Sequence, residues 1–273
     1  MFDLGYRAVY QKNIETAIRE AENNGFKVIE IHVSSPQFLI SSYSIEQLKS
    51  IKKLAEKKQI AIQIHAPLEM SLIFVNENLR KAVKKQIKEL LNFCKIIGAN
   101  SITLHIGKAD TYHDVLGSKL KNEDIYPKLY NQLFEDSLKY IVSIANNEIN
   151  VCIENTDNFN SNYQKILQKY LSAGKIFLTW DIRKNFSYET GKLIEDQWKF
   201  FQKNKDYIRN IHISGLSSSH GEIKEWNSEF SRFFDVLKNK NLSVIIEVLP
   251  FEAAIKAKEI IKKHINYGKD IFN

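Results

Sequence analysis

The chain has 273 residues, 44% of them hydrophobic and 26% charged, a balance that is typical of a globular protein and excludes a disordered one. Lys and Arg total 39 against 32 for Asp and Glu, and the net charge of +7 permits an anionic partner without requiring one. Cys94 and Cys152 are too few for a disulfide framework or a thiolate zinc site, and no apolar run reaches the roughly 18 residues of a membrane span. We therefore expect a cytoplasmic protein with no membrane partner.

Short apolar segments rich in Val, Ile and Phe alternate along the chain with longer segments of helical periodicity. Eight of them are predicted to be strands: MFDLGYRA (1–8), FKVIEIHV (26–33), IAIQIHAP (60–67), SITLHIG (101–107), INVCIENT (149–156), KIFLTWDI (175–182), IRNIHISG (208–215) and LSVIIEV (242–248). The predicted helices include Ile45 to Lys58, Glu77 to Ile97, Lys128 to Ala145, Tyr163 to Ser172, Phe230 to Lys238 and Glu252 to His264.

This alternation predicts a single (β/α)8 TIM barrel with parallel strands, which occupies residues 1–273 as one domain. An open doubly wound sheet is the alternative, and it is disfavoured because no glycine-rich phosphate turn follows the first strand. The basic runs KSIKKLAEKK (49–58) and LRKAVKKQIK (79–88) alternate Lys with apolar residues at helical spacing. We interpret them as solvated outer helix faces rather than as a nucleic-acid-binding stripe.

Side chains alternate between the two faces of a strand, so the sequence predicts which residues point into the barrel. If Val244 and Ile246 face the helices, then Ser243, Ile245 and Glu247 face the interior. The same parity points these pairs inward: Glu30 and His32, Gln63 and His65, Thr103 and His105, Cys152 and Glu154, Thr179 and Asp181, Asn210 and His212. In each pair the ionisable residue comes last before the loop. It therefore lies at the C-terminal rim, where the catalytic residues of such barrels collect.

Six rim residues from the third to the eighth strand are expected to surround one cavity: His65, His105, Glu154, Asp181, His212 and Glu247. Carboxylates and imidazoles that are buried together favour a positive charge among them, because the burial of uncompensated charge costs several kcal/mol per ion. Nitrogen and oxygen ligands without thiolates suit zinc, manganese, iron, cobalt or, with more oxygens, magnesium. The sequence thus predicts a divalent metal site.

The remaining candidate residues are interpreted as having supporting or structural roles. Glu30 and His32 share the inward row and are expected either to support a ligand or to contact substrate. Cys152 is interpreted as a small packed residue rather than a ligand or nucleophile, and His113 and His264 as surface residues. No GxSxG, Walker or HExxH motif supports a serine hydrolase, a nucleotide-phosphate site or a zincin.

Seven short motifs occur in order along nearly the whole chain: GFKVIEIH (25–32), IHAP (64–67), GANSITLHIG (98–107), IENT (153–156), WDI (180–182), IHISG (211–215) and IIEV (245–248). In these motifs the chain resembles the xylose isomerase-like TIM-barrel superfamily. That group contains sugar isomerases and epimerases and the endonuclease IV-like enzymes of AP endonuclease family 2.

The resemblance implies that Glu154, Asp181, His212 and Glu247 hold the metal that the epimerases share. In the endonuclease branch, it implies that His65 and His105 join Glu154 around another metal. The chain departs from endonuclease IV at the ligands of its third zinc. Lys184 stands where a His three residues after Asp181 is expected, and Ser218 stands at the Asp of the Asp-x-His motif, of which only His220 matches.

Three functions follow from the resemblance. In a sugar, sugar-phosphate or polyol isomerase or epimerase, Glu154 and Glu247 move a proton through a metal-bound enediolate, with Lys184, His220, Glu30 and His32 as expected substrate contacts. The alternative is an endonuclease IV-like phosphodiesterase acting on DNA. The third is a barrel that binds a metal or ligand without turnover, because a shared fold does not fix function.

Overall fold

A computed structural model describes residues 2–145, 148–156, 159–218, 220–238 and 240–266. Eight parallel strands form a closed barrel: β1 Phe2–Ala8, β2 Val28–His32, β3 Ala61–His65, β4 Ser101–Leu104, β7 Asn150–Glu154, β8 Phe177–Asp181, β9 Ile208–Ile213 and β10 Leu242–Ile246. Their order around the barrel is β1-β10-β9-β8-β7-β4-β3-β2. The predicted (β/α)8 architecture is confirmed, and the open doubly wound alternative is excluded.

Helices surround the barrel on its outside: α1 Ile14–Asn23, α2 Ile45–Lys58, α3 Glu77–Ile97, α4 Asn122–Ile125, α5 Pro127–Ile144, α6 Ser161–Ser172, α7 Glu195–Lys203, α8 Ser228–Leu237 and α9 Phe251–Asn266. The helices α1, α4 and α7 were not among those predicted, whereas α2 and α3 have the predicted bounds. A short antiparallel hairpin, β5 Thr111–His113 and β6 Lys119–Lys121, was also not predicted and is inserted after β4.

Local sequence signals explain where the long helices begin and end. Ser44 and Gln47 form a reciprocal capping box that starts α2. The side chain of Asn76 accepts hydrogen bonds from two backbone amides at the start of α3, and Gly98 ends that helix with a φ of 76°. Most lysines of the basic runs in α2 and α3 are exposed, as predicted for solvated helix faces. Within the described residues, no helix is both long and apolar enough to cross a membrane.

Below the rim, the barrel interior is lined by polar side chains, mostly hydroxyls and amides, with the carboxylate of Glu30 among them. The hydroxyls of Thr103 and Thr179 are hydrogen-bonded across it at 2.8 Å, and the amide nitrogen of Gln63 donates to Ser243 Oγ at 2.8 Å. These contacts between strands that are not neighbours confirm the predicted parity of four strands. Cys152 also lies here, fully buried, and burial raises the pKa of its thiol to about 12, as suits a packed residue.

Candidate functional site

The six rim residues lie where the sequence places them, at the carboxyl ends of their strands. His65, Glu154 and Asp181 are the last residues of β3, β7 and β8. His212 lies in β9, and His105 and Glu247 directly follow β4 and β10. Their side chains are mostly or completely buried around a cavity of about 600 Å³. His65, His105, Glu154 and Glu247 line this cavity, whereas Asp181 and His212 are not among its lining residues.

Glu154 lies between three nitrogen groups. Its Oε2 atom is 2.8 Å from His105 Nε2 and 3.3 Å from His65 Nε2, and its Oε1 atom accepts a hydrogen bond from Lys184 Nζ at 3.3 Å. Burial alone would raise the pKa of this carboxyl, but Lys184 and His105 outweigh burial and hold the pKa well below its usual value. Glu154 is therefore ionised at neutral pH.

Glu247 lies in a second group of nitrogens. His212 Nδ1 and His220 Nδ1 are each 3.5 Å from its oxygens, and one terminal nitrogen of Arg7 is 3.8 Å from Oε1. Burial raises the pKa of Glu247, but the charges of His212 and Arg7 outweigh it and lower the pKa to about 2. The cavity thus has two ionised carboxylates, one from β7 and one after β10.

His212 connects these two carboxylates. Its Nε2 atom donates to Glu30 Oε2 at 3.1 Å, and its Nδ1 atom is 3.7 Å from Glu154 Oε1 and 3.5 Å from Glu247 Oε1. The Nδ1 atom is buried and has no hydrogen-bond partner among the described residues. A metal-binding histidine usually donates its other ring N–H to a carboxylate, as His212 does to Glu30. An unpaired ring nitrogen between two carboxylates therefore fits a divalent cation.

His65 has the same arrangement with a different partner. Its Nδ1 atom donates to the carbonyl of Ala66 at 2.8 Å, which leaves Nε2 facing Glu154. Burial lowers the pKa of His65, but the hydrogen bond to Glu154 and the nearby carboxylates outweigh burial and raise the pKa. In the described residues, two groups place their ligand atoms within 4.8 Å of one another: Glu30, His65, His212 and Glu247, and His65, His105 and Glu154.

Asp181 belongs to neither group, although the sequence predicts it as a ligand. Its carboxylate is 3.6 Å from Lys184 Nζ and accepts a hydrogen bond from the Lys184 backbone amide at 3.3 Å. The Lys184 ammonium lies between Asp181 and Glu154, where it supplies positive charge to both. Burial raises the pKa of Asp181 to about 7, with Glu154 and Glu247 adding to the rise and Lys184 opposing it.

The expected substrate contacts divide into two sets. His32, Lys184 and His220 line the cavity, and the His32 ring stacks on His65 with centroids 4.6 Å apart. Glu30 is fully buried beneath His212, where its carboxylate also accepts from the Asn210 amide at 3.0 Å. Of the two roles open to Glu30, its position favours the support of His212.

Sequence reasoning missed three charged residues of the cavity wall, Arg7 in β1 and the loop residues Glu69 and Lys108. Arg7 is two residues beyond Gly5, whose neighbour across β10 is the inward-facing Ile245. The alternation that identified the other rim residues therefore also points Arg7 inward. The signal was present but weak, because Gly5 provides no side chain by which to recognise the inward face of this strand.

Comparison with known proteins identifies the family. The sequence model of the family described as xylose isomerase-like TIM barrel matches residues 18–270. The chain belongs to this family. Among curated protein sequences, none matches it.

Solved structures share the fold at low sequence identity. A D-tagatose 3-epimerase-like protein has a TM-score of 0.73 at 19% identity, with 100% of both chains covered. An L-ribulose 3-epimerase has a TM-score of 0.74 at 12% identity, covering 98% of this chain and 96% of the other. Endonuclease IV from Thermus thermophilus has a TM-score of 0.64 at 15% identity, covering 95% of this chain and 98% of the other.

Proposed function

We propose that this protein is a divalent-metal-dependent isomerase or epimerase that acts on a sugar, sugar phosphate or related hydroxy-carbonyl compound. The single observation that carries the proposal is the pair of ionised carboxylates, Glu154 and Glu247, on either side of the unpaired Nδ1 atom of His212. The fold that the chain shares with two kinds of epimerase also supports it.

The residues that would hold the cation are His65, His212 and Glu247, which belong to one group of potential ligands, together with Glu154, whose Oε1 atom is 3.7 Å from His212 Nδ1. The resemblance adds Asp181, whose carboxylate contacts Lys184 instead. When bound, a divalent cation would stabilise the negative charge that develops on the substrate oxygens as a C–H proton leaves. The candidates are zinc, manganese, magnesium and cobalt.

Glu154 and Glu247 would carry the proton. Each is buried and ionised at neutral pH, which is the state that a proton acceptor needs. Because they come from β7 and from the segment after β10, they approach the cavity from different strands. One carboxylate can therefore remove a proton from a carbon atom, and the other can return a proton to the opposite face or to the neighbouring carbon.

The surrounding residues would bind and orient the substrate. Lys184 and His220 line the cavity beside Glu154 and Glu247 respectively, within reach of substrate hydroxyl or phosphate oxygens. His32 presents an imidazole that burial keeps neutral, since its pKa is lowered to about 3 by burial and by the neighbouring His65 and Arg7. A neutral imidazole can donate one hydrogen bond to a polyol and accept another from it.

Phosphodiester cleavage is the second candidate because His65, His105 and Glu154 form a separate group of potential ligands. Two metals about 3.5–4 Å apart would activate a hydroxide in such a site. The Lys184 ammonium opposes this assignment, since it sits against Glu154, which would have to bridge the two ions.

Hydrogen exchange from solvent tests the proposal. The protein is incubated in D2O with a panel of ketoses, aldoses and their phosphates, and with manganese, magnesium, zinc or cobalt in turn. We expect metal-dependent deuterium incorporation at a carbon next to the carbonyl of at least one substrate, detected by NMR and abolished by a chelator. Metal-dependent incision of an abasic-site duplex without deuterium exchange into any sugar would contradict the isomerase assignment and support the nuclease assignment. If neither activity is detected, the protein would be assigned as a barrel that binds a metal or ligand without turnover.

A further inference from the structure

Arg7 is a charged residue of the cavity wall. Its side chain is 10% exposed and lines the cavity. The guanidinium group has five N–H donors and stays charged at any physiological pH. Its Nε atom is buried without a hydrogen-bond partner among the described residues, and one terminal nitrogen lies 3.5 Å from His220 Nε2. Among the described residues, the one hydrogen-bond partner of this guanidinium is therefore an imidazole nitrogen at the long distance of 3.5 Å.

A structural ion pair with Glu247 does not explain this geometry. The shortest approach between the Arg7 guanidinium and Glu247 Oε1 is 3.8 Å, beyond hydrogen-bond distance. Arginine and carboxylate groups that pair for structural reasons usually form two parallel, short hydrogen bonds. Glu247 also faces two imidazoles, from His212 and His220, so Arg7 is one of several groups around this carboxylate and not its dedicated partner.

A second cation of the cavity wall, Lys184, is already engaged. Lys184 contacts both Glu154 and Asp181. Glu69 is the remaining acidic residue of the cavity wall, and it is exposed at the mouth rather than buried beside Arg7. The planar guanidinium of Arg7 faces a polar cavity. Such a group can donate two parallel hydrogen bonds to two oxygens of a carboxylate or phosphate.

We infer that Arg7 binds an anionic oxygen group of the substrate, so that this protein prefers a hydroxy-carbonyl compound with a carboxylate or a phosphate to a neutral sugar. The inference rests on the proposed function for the hydroxy-carbonyl part of the substrate. His220, in contact with Arg7, would lie beside the same anionic group. The residues that transfer the proton would be Glu154 and Glu247, and Arg7 would set specificity.

Binding of matched ligands tests the inference. The manganese-loaded protein is titrated by calorimetry with D-fructose, D-fructose 6-phosphate and the corresponding ketohexuronate, which differ in the charged group. We expect the phosphate or the carboxylate ligand to bind about tenfold or more tightly than D-fructose. Which of the two binds more tightly distinguishes a sugar phosphate from a sugar acid.

Substitutions then assign the preference to Arg7. In Arg7→Met, the preference for the anionic ligand over D-fructose should fall to within about threefold. Arg7→Lys keeps the positive charge but cannot donate two parallel hydrogen bonds, so it should retain part of the preference for the anionic ligand. Arg19→Met is the matched control, because Arg19 is exposed on α1 away from the cavity and the change in net charge is identical. It should leave all affinities unchanged.

Two results would overturn the inference. The first is equal affinity of the wild-type protein for neutral and anionic ligands. The second is an anionic preference that survives in both Arg7 variants, or a loss in Arg7→Met that is equal for D-fructose and the anionic ligands. Because the measurement compares binding, its outcome is separate from hydrogen exchange. Exchange into neutral sugars alone would leave the proposed function standing and remove the inference.

Discussion

The rim of the barrel interior and the layer below it differ in how many charged groups they bring together. The layer below has hydroxyls and amides that pair across the barrel, as Thr103 does with Thr179, and a single carboxylate, Glu30, which accepts hydrogen bonds from Asn210 and His212. The rim above it contains Glu154, Asp181 and Glu247, together with an unpaired ring nitrogen of His212. Paired neutral groups stabilise a fold, whereas close like charges weaken it unless a ligand compensates for them. The difference indicates that the lower layer maintains the barrel and the rim serves chemistry.

The largest effect should follow from Glu247→Gln in the rim. The amide keeps the size of the side chain but cannot accept the substrate proton, and we expect the exchange rate to fall by about 10²–10⁴-fold. Thermal unfolding monitored by circular dichroism should show that the variant is folded. Glu252→Gln, the same change at an exposed position of α9, is the control and should keep full activity. Near wild-type exchange in Glu247→Gln would reduce Glu247 to a structural residue.

The pH dependence of the free energy of unfolding should show the effect of the charged groups in the rim. The pKa of Asp181 is raised to about 7 in the folded protein, so at this group the folded state binds more protons than the unfolded state between about pH 4 and 7. In the metal-free protein this group alone should therefore lower the free energy of unfolding by on the order of 2–4 kcal/mol as the pH rises through this window, whereas His32, whose pKa is lowered to about 3, acts in the opposite direction.

Chemical denaturation at a series of pH values measures this loss. His65 and His212 have raised pKa values, so their contribution is present at low pH and is also lost as the pH rises through those values. Asp181→Asn removes the carboxyl, so the wild type should lose stability relative to this variant as the pH rises to about 7. A difference in the free energy of unfolding between the two proteins that stays constant from about pH 4 to 7 would contradict the account of the rim.

A substitution in the lower layer should reduce stability and leave activity unchanged, whereas a substitution in the rim should reduce activity. Thr179→Val removes the hydroxyl that is hydrogen-bonded to Thr103, and we expect the free energy of unfolding to fall by about 1–2 kcal/mol. Hydrogen exchange into substrate should stay within about twofold of the wild type, because the rim is intact. Thr111→Val, at an exposed position of the hairpin, provides the baseline for the same chemical change. Loss of activity without loss of stability would erase the distinction between the layers.

The smallest effect concerns Lys184. Its ammonium lies against Glu154 and Asp181, so a divalent cation that binds Glu154 meets a positive charge already in place. Lys184→Met should tighten manganese binding by about tenfold, which corresponds to about 1.4 kcal/mol. Lys108→Met, also on the cavity wall, is the comparison for loss of a lysine. Unchanged or weaker manganese binding in Lys184→Met would show that the ammonium does not compete with the cation.

The sequence predicted the barrel and its six rim residues because strand alternation is a local property with a period of two. Arg7 escaped because its strand carries Gly5 on the inward face. The ion pairs of Lys184 depend on the short 3-10 turn Arg183–Asn185, which aims the side chain back over Asp181. Which neighbours a long flexible side chain contacts is decided by tertiary packing and cannot be obtained from alternation.

The hairpin β5–β6 is a second feature that alternation in the sequence could not predict. Its strands have three residues each, with exposed side chains, so no apolar alternation marks them. The position of Glu30 beneath His212 also depends on packing across the barrel, from β2 to β9. The sequence left two roles open for this residue, and only the contact with His212 Nε2 favours one of them.

Cation binding to the metal-free protein tests most directly whether the rim is a metal site for proton transfer. Manganese and zinc are titrated into the wild-type protein and into His212→Ala, and the bound ions are counted by native mass spectrometry. The account predicts one tightly bound cation per chain in the wild type and none in His212→Ala. No binding to the wild type, or two or three tightly bound zinc ions per chain, would contradict it, and the latter result would favour phosphodiester chemistry.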